Sequence, residues 1–150
     1  MPILLSILFQ SVTFSQNAYQ YECISVDVDG FVTIKIWNPQ KGKCYKFNQA
    51  RKDAILAILF SGIPSNNGCI KQKPFLQTLE EQENFNNIKK EFFGTKGAWP
   101  TYASASETEA TIPVNIGTKN WKVFKVSVTK DQLRKYLEEK RIIKPLNEGF

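Results

Sequence analysis

Residues 19–37 read YQYECISVDVDGFVTIKIW, two alternating runs of apolar and polar residues on either side of Asp29-Gly30. Strict alternation is typical of strands that bury one face, and Asp-Gly between two such runs is a strong signal for a hairpin. The segment therefore predicts two antiparallel strands, which begin the sheet of this protein.

The length of the turn decides which side chains of this hairpin share a face. A two-residue turn at Asp29-Gly30 would place the apolar residues of the two strands on opposite faces. A three-residue loop, residues 28–30, instead pairs residue 26 with 32 and residue 24 with 34, and it needs Gly30 in the left-handed conformation. We predict the three-residue loop because it brings the apolar residues to one side: Ile24, Val26, Val32, Ile34 and Ile36.

The opposite face of the predicted hairpin is unusually aromatic. It carries Tyr19, Tyr21, Cys23, Ser25, Phe31, Thr33, Lys35 and Trp37. Aromatic side chains are favoured anchors at protein interfaces because they bury a large area at little cost in rotamer freedom. We therefore take Tyr21, Phe31 and Trp37 as candidate binding residues.

Three helices are predicted from apolar periodicity and from signals at helix ends. The first covers residues 48–61, with Asn48 as its N-cap and Gly62 as its stop, and its second half is apolar nearly all round, so we expect it to be buried. The other two open with the capping boxes Thr78/Glu81 and Thr129/Gln132 and cover about residues 79–92 and 130–141.

A long polar stretch precedes the last two strands. Residues 94–109, GTKGAWPTYASASETE, have the small, polar composition of a loop. Trp99 and Tyr102 inside it are candidate binding residues, and the alternative is that this loop is anchored at the edge of the core. Strands are then predicted at 110–116 and 121–128, the first at a sheet edge because it contains proline.

The order of these elements predicts an α+β fold. We expect one antiparallel four-stranded sheet built from two hairpins, with two to three helices packed mainly on one face. The chain has 150 residues and is 42% hydrophobic, which fits one compact domain.

The amino-terminal residues 2–16, PILLSILFQSVTFSQ, carry no charged side chain. The run is too short and too polar for a membrane-spanning helix. It is typical of a secretory signal peptide, although it lacks the usual Lys or Arg after Met1, and an apolar strand packed in the core is the alternative. We expect a signal peptide at 1–16, one domain at 17–150, and a periplasmic or secreted location.

Three cysteines occur, and none forms a CxxC pair: Cys23, Cys44 and Cys69. Such spacing favours neither a zinc ribbon nor a thioredoxin-type redox motif. An oxidising compartment would allow one disulfide, but the spacing does not rank the three pairings, and three free, partly buried thiols are the alternative.

The residue inventory argues against catalysis. The chain contains no histidine, which removes the commonest general base and the commonest zinc ligand. No nucleophile elbow, glycine-rich phosphate loop or dinucleotide fingerprint is present. The acid pairs Asp27/Asp29 and Glu107/Glu109 lie in a predicted turn and a predicted loop. We expect no enzyme activity, no catalytic residues, no metal and no cofactor.

The net charge of +6 comes mainly from basic residues in the last quarter of the chain. Acidic residues interleave with them at helical spacing, which is typical of a solvated helix face. We expect no nucleic acid as a partner, and contact with an anionic surface is the alternative role for these charges.

Residues 48–57, NQARKDAILA, followed by residues 123–133, resemble small exported envelope domains of the kind found in outer-membrane lipoproteins and at the amino end of a flagellar assembly protein. In those domains an alanine-spaced helix packs on an antiparallel sheet, and the Phe-Ser-Gln ending of the first segment is similar to signal peptides of Bacteroidota. The resemblance covers about residues 47–61 and 120–140, and this chain lacks the lipidation cysteine.

This resemblance implies a non-enzymatic envelope protein that binds or assembles with others, and it carries over no catalytic residue. The expected function is therefore protein contact with another envelope protein or in a homo-oligomer, through the aromatic residues singled out above. A small-ligand or glycan-binding role of the same aromatics is the alternative.

Overall fold

The computed structural model describes residues 19–108 and 122–146. Its four strands are β1 (Gln20–Val26), β2 (Phe31–Trp37), β3 (Ala103–Thr108) and β4 (Val123–Thr129). They form one antiparallel sheet in the order β1-β2-β4-β3. Three helices accompany them: α1 (Phe47–Phe60), α2 (Leu79–Phe92) and α3 (Lys130–Glu139). The predicted α+β fold with a four-stranded antiparallel sheet is confirmed, whereas the predicted signal peptide at 1–16 lies outside the described residues.

The core lies between the sheet and its helices. The alternate residues of β2 and β4 that face it are fully buried: Val32, Ile34, Ile36, Phe124, Val126 and Val128. Helix α1 presents small side chains at residues 50, 54 and 57, which let it lie close to β2, β3 and β4. Helix α2 packs on the other two helices, since Phe85 contacts Phe60 and Phe92 contacts Tyr136. Among the described residues, no helix combines the length and apolarity needed to cross a bilayer.

The predicted three-residue loop of the first hairpin is confirmed. The Asp27 amide donates to the Phe31 carbonyl at 2.8 Å, Val26 lies opposite Val32, and Gly30 has φ of +82°. Because this turn is determined by local glycine chemistry, its type can be predicted from four or five residues.

The predicted register beyond the loop is wrong by one residue. A bulge between Cys23 and Ser25 places Cys23, rather than Ile24, opposite Ile34. Cys23 is consequently buried, and Ile24 is 37% exposed. The buried cysteine forms a disulfide with Cys69. Loop entropy makes this cross-link worth about 4 kcal/mol, whereas burying Ile24 instead would contribute about 1.5–3 kcal/mol. The register that buries Cys23 is therefore the more stable one.

Strand β3 lies where a loop was predicted. Residues 103–108 fall inside the stretch 94–109, and they pair with β4 along their whole length. Alanine and serine have little strand propensity, so cross-strand pairing and contact with α1 decide this strand. The predicted strand at 110–116 lies outside the described residues.

The helix ends follow the sequence signals only in part. The capping box of α2 is confirmed, with the Glu81 amide donating to Thr78 Oγ1 at 3.1 Å and the Thr78 amide donating to Glu81 Oε1 at 3.0 Å. The predicted N-cap Asn48 is wrong, because α1 begins one residue earlier without a side-chain cap. Thr129 does not cap α3, and its buried hydroxyl has no hydrogen-bond partner among the described residues.

Candidate functional site

The aromatic residues predicted to share one face of the hairpin are separated. The bulge turns Tyr21 toward the helices, where its hydroxyl donates to the Gly62 carbonyl at 2.8 Å. Phe31 and Trp37 lie on the opposite face at the two ends of β2, about 20 Å apart. Trp37 is only 6% exposed. The predicted aromatic face is therefore wrong as a shared surface.

The predicted site residue Trp99 is an anchor between the chain before β3 and helix α1. It lies in a short 3-10 turn and is 7% exposed. The guanidinium of Arg51 stacks 4.7 Å from the Trp99 ring centroid and donates to the carbonyls of Pro100 and Ala103, at 3.0 and 2.8 Å. Trp99 therefore lies at the edge of the core, as in the alternative in which its loop is an anchor and not a binding site.

Tyr102, the fifth predicted site residue, is half-buried in an aromatic cluster at the edge of the core. Its ring centroid lies 6.2 Å from that of Phe92 and 5.6 Å from that of Tyr136. Burial raises the pKa of its hydroxyl. Tyr102 therefore packs between α2 and α3, and it does not form a common surface with Phe31 and Trp37 of β2.

A groove of about 350 Å³ runs instead along the outer edge of β1. We call it the β1 groove; its lining residues are Ile24, Ser25, Val26, Asn67, Gly68, Cys69, Ile70 and Gln72. Such a volume is at the lower end of the range usual for ligand sites, about 300–1,000 Å³. The β1 groove is the candidate functional site, and the sequence analysis missed it.

The far wall of the groove is a loop with a well-defined conformation. Asn67 and Gly68, with φ of 50° and 83°, are the central residues of a tight turn that is closed by the Cys69 amide donating to Asn66 O at 2.8 Å. Asn-Gly is the preferred pair for a turn with two positive φ values. A backbone bridge between Ile63 and Gln72, with both hydrogen bonds at 2.9 Å, closes the base of the loop.

This loop is fastened to β1 at Cys23. The Cys23–Cys69 disulfide spans a Cα–Cα distance of 6.3 Å. On the free edge of the strand, the Cys23 amide donates to Asn66 Oδ1 at 3.3 Å, and Asn67 Nδ2 donates to the Cys23 carbonyl at 3.2 Å. The structure thus contains a single disulfide, which is one of the alternatives that the sequence left open. The third cysteine, Cys44, is free and exposed. Such a bond is compatible with an oxidising location.

Beyond Cys23, none of the described residues pairs with the outer edge of β1. The Asp27 amide donates to the Phe31 carbonyl at the loop, so the next pair, Val26 and Val32, is a non-hydrogen-bonded pair of the antiparallel ladder. The Val26 amide and carbonyl therefore face away from β2, toward the groove. Around them the apolar side chains stand partly in solvent, with Ile24 37%, Val26 39% and Ile70 80% exposed.

A buried carboxyl in α1 is a second feature that the sequence analysis did not single out. Asp53 is 6% exposed and accepts hydrogen bonds from Tyr45 Oη at 2.7 Å and from Gln49 Nε2 at 2.9 Å. Burial raises the pKa of this carboxyl, whereas the two hydrogen bonds and Lys41 oppose the rise. The one sequence signal was the spacing of Gln49 and Asp53, four residues apart on a helix.

We expect this carboxyl to make the protein less stable as pH rises. An acid whose pKa is raised by folding above its usual 3.8 contributes stability that is complete below that value and is lost as pH rises through the folded-state pKa. The free energy of unfolding of Asp53→Asn, relative to the wild type, should therefore increase between about pH 4 and about pH 8 in urea titrations.

A variant of Tyr45, the hydrogen-bond donor to Asp53, tests the same role of the Asp53 carboxyl. Tyr45→Phe removes a hydrogen bond that favours the charged carboxylate, so it should steepen the loss of stability with pH. A difference between wild type and Asp53→Asn that stays constant across this pH range would contradict the assignment.

No protein-family model, curated protein or solved structure matches this chain. Within the described ranges, no three His, Cys, Asp or Glu side chains come together to hold a metal ion. The β1 groove is accordingly described by its own residues: a strand edge, an apolar lining and a wall fixed by a disulfide.

Proposed function

We propose that this protein is an exported, non-enzymatic module that binds an extended segment of another protein in the β1 groove. The observation that supports it is the strand edge at Val26, which no residue of 19–108 or 122–146 pairs with and which lies beside the exposed apolar side chains Ile24 and Ile70. An open edge pairs readily with an incoming strand, and adjacent apolar pockets select the side chains of that strand.

The position of the wall sets how much of a partner can pair with β1. The side chains of Asn66 and Asn67 already hydrogen-bond the amide and the carbonyl of Cys23. A bound segment can therefore pair only with the part of β1 that follows Cys23. The incoming segment would then run between β1 and Ile70, with alternate side chains toward the groove. A wall fixed in advance reduces the entropy cost of binding.

Export is part of the proposal for two reasons. The disulfide between Cys23 and Cys69 is the kind of bond that persists in oxidising compartments. The uncharged residues 2–16 and the resemblance to envelope domains point in the same direction. An envelope protein is the expected source of the bound segment.

The glycan-binding alternative gains no support from the placement of Trp37 and Trp99, and the exposed rings of Phe31 and Phe47 do not line the β1 groove. A sugar ring stacks on an exposed aromatic face, and both Trp37 and Trp99 are buried, the latter beneath Arg51. We therefore put forward strand binding alone.

The test uses an end-blocked peptide of about eight residues, with valine alternating with glutamine, titrated into the full-length protein and followed by NMR. We expect shifts concentrated at residues 24–26 and 67–72. Ile70→Lys should weaken binding by about tenfold or more, because it places a charge in the apolar lining. Val28→Lys is the matched control, since Val28 is fully exposed and does not line the groove.

A second peptide separates backbone pairing from simple apolar contact. N-methylation at alternate residues removes the peptide amide donors, so it should abolish binding if the segment adds to β1 as a strand. Equal binding of the methylated peptide, or equal loss in Ile70→Lys and Val28→Lys, would overturn the proposal. A dimer in light scattering that the peptide does not dissociate would also overturn it, because a second copy would then occupy the edge.

A further inference from the structure

A lysine stands at one end of the β1 groove and is held there by the groove wall. Lys130, the first residue of α3, donates a hydrogen bond from its ammonium to Gln72 Oε1, and Gln72 lines the groove. The backbone of Gln72 is fixed by its bridge to Ile63. The groove wall therefore determines where this ammonium lies.

The same ammonium is partly removed from water. It lies 5.9 Å from the centroid of the Phe75 ring, and Arg134 lies 5.5 Å from that ring. Burial lowers the pKa of Lys130, the nearby Arg134 adds to this effect, and Asp131 opposes it. A partly desolvated cation beside a second cation is stabilised strongly by an anion that reaches it.

The described residues around Lys130 do not supply that anion. Within the described part of the chain, no carboxylate forms an ion pair with Lys130, while Arg134 pairs with Glu138 at 3.4 Å. The carboxylate of Asp131 is directed at Gly30, where a Cβ would lie 2.3 Å from its oxygen. The chain that forms and flanks the wall, residues 54–79, contains Lys71 and Lys73 and no Asp or Glu.

The hydrogen-bonding capacity of Lys130 is also incompletely used. An ammonium has three donors, and Gln72 accepts one of them. The carboxylates of the hairpin, Asp27 and Asp29, are exposed, and neither forms an ion pair with this lysine. Within residues 19–108 and 122–146, Gln72 alone accepts from this ammonium, which leaves two donors for a group that enters along the groove.

We infer that the segment bound in the β1 groove carries an Asp or Glu side chain that pairs with Lys130, so that this lysine selects acidic partners. The inference rests on the proposed function, since it names the chemistry of the segment that the groove takes up. Lys130 lies at the hairpin end of β1, because the Asp131 amide donates to the Gly30 carbonyl at 3.3 Å. The acidic residue should accordingly lie at the end of the segment that reaches the hairpin.

The test compares neutral and acidic forms of the valine and glutamine peptide, with one Gln replaced by Glu near either terminus. For the wild type we expect the acidic form with Glu at one terminus to bind about tenfold more tightly than the neutral form, and the advantage to shrink in high salt. The terminus that gives the effect reports whether the segment runs antiparallel or parallel to β1.

Lys130→Met keeps the aliphatic stem over Phe75 and removes the charge, so it should abolish the preference for Glu. Lys135→Met is the matched control, because Lys135 is exposed on the same helix and should leave the preference intact. The neutral peptide serves as the folding control, since it should bind Lys130→Met as well as it binds the wild type.

The outcomes separate the two proposals. Failure of every peptide to bind would contradict strand binding in the groove as a whole. Binding of the neutral peptide without a Glu preference, or a preference that survives in Lys130→Met, would overturn the role of Lys130 and leave strand binding in the groove supported.

Discussion

Replacing both Cys23 and Cys69 with alanine should lower the free energy of unfolding by about 4 kcal/mol. The two residues are 46 positions apart, and loop entropy predicts a loss of this size when a link across such a loop is removed from the unfolded chain. A domain of this kind has about 5–15 kcal/mol of stability, so the loss is a large fraction of it. Urea denaturation with and without a reducing agent measures it.

Cys44→Ala is the control for this experiment. Its thiol is free and exposed, so the variant should stay within about 0.5 kcal/mol of the wild type. The double variant should also lose peptide binding, because the loop of residues 66–72 loses its covalent tether to β1. A double variant as stable as Cys44→Ala would show that the disulfide does not stabilise the fold.

Gly62→Ala should be nearly as destabilising, at about 4 kcal/mol. Gly62 ends α1 with φ of +80°, which costs a non-glycine residue about 1–3 kcal/mol. A Cβ at this position would also lie 2.3 Å from the Gln72 carbonyl oxygen and 2.8 Å from Pro74 N. Both contacts are to backbone, so the added methyl group would push apart α1 and the base of the groove wall.

Gly68→Ala separates the two causes. Its φ of +83° is nearly the same, but among the described residues only its two chain neighbours could come within 4 Å of the place that its methyl group would take, so we expect a loss of only about 1–2 kcal/mol. Thermal or urea denaturation of the two variants measures the difference. Equal losses would mean that the backbone contact at Gln72 is unimportant and that conformational strain alone explains both.

The elements that sequence analysis predicted well are those with local causes. The three-residue loop depends on Gly30 and its neighbours, and α2 begins where Thr78 and Glu81 cap each other. In each case the interacting groups are a few residues apart, so their chemistry is visible in a short stretch of sequence.

The site was missed because its parts are distant in sequence. The bulge at Ile24 depends on a cysteine 46 residues beyond Cys23, and the groove depends on a loop that reaches β1 through Asn66 and Asn67. The Asn-Gly turn and the cysteine count were signals for such a loop, but neither indicates which strand it meets. The chemistry of an aromatic side chain does not indicate whether it is exposed, and both Trp37 and Trp99 are buried.

Hydrophobic periodicity, turn residues and helix caps, all readable over short distances, account for the α+β class, the loop of the first hairpin and the extent of α2. The pairing of β3 with β4, the burial of Cys23 and the open edge at Val26 came only from the folded chain. These last features follow from contacts between segments far apart in the sequence, and such contacts override the weak preferences of single residues.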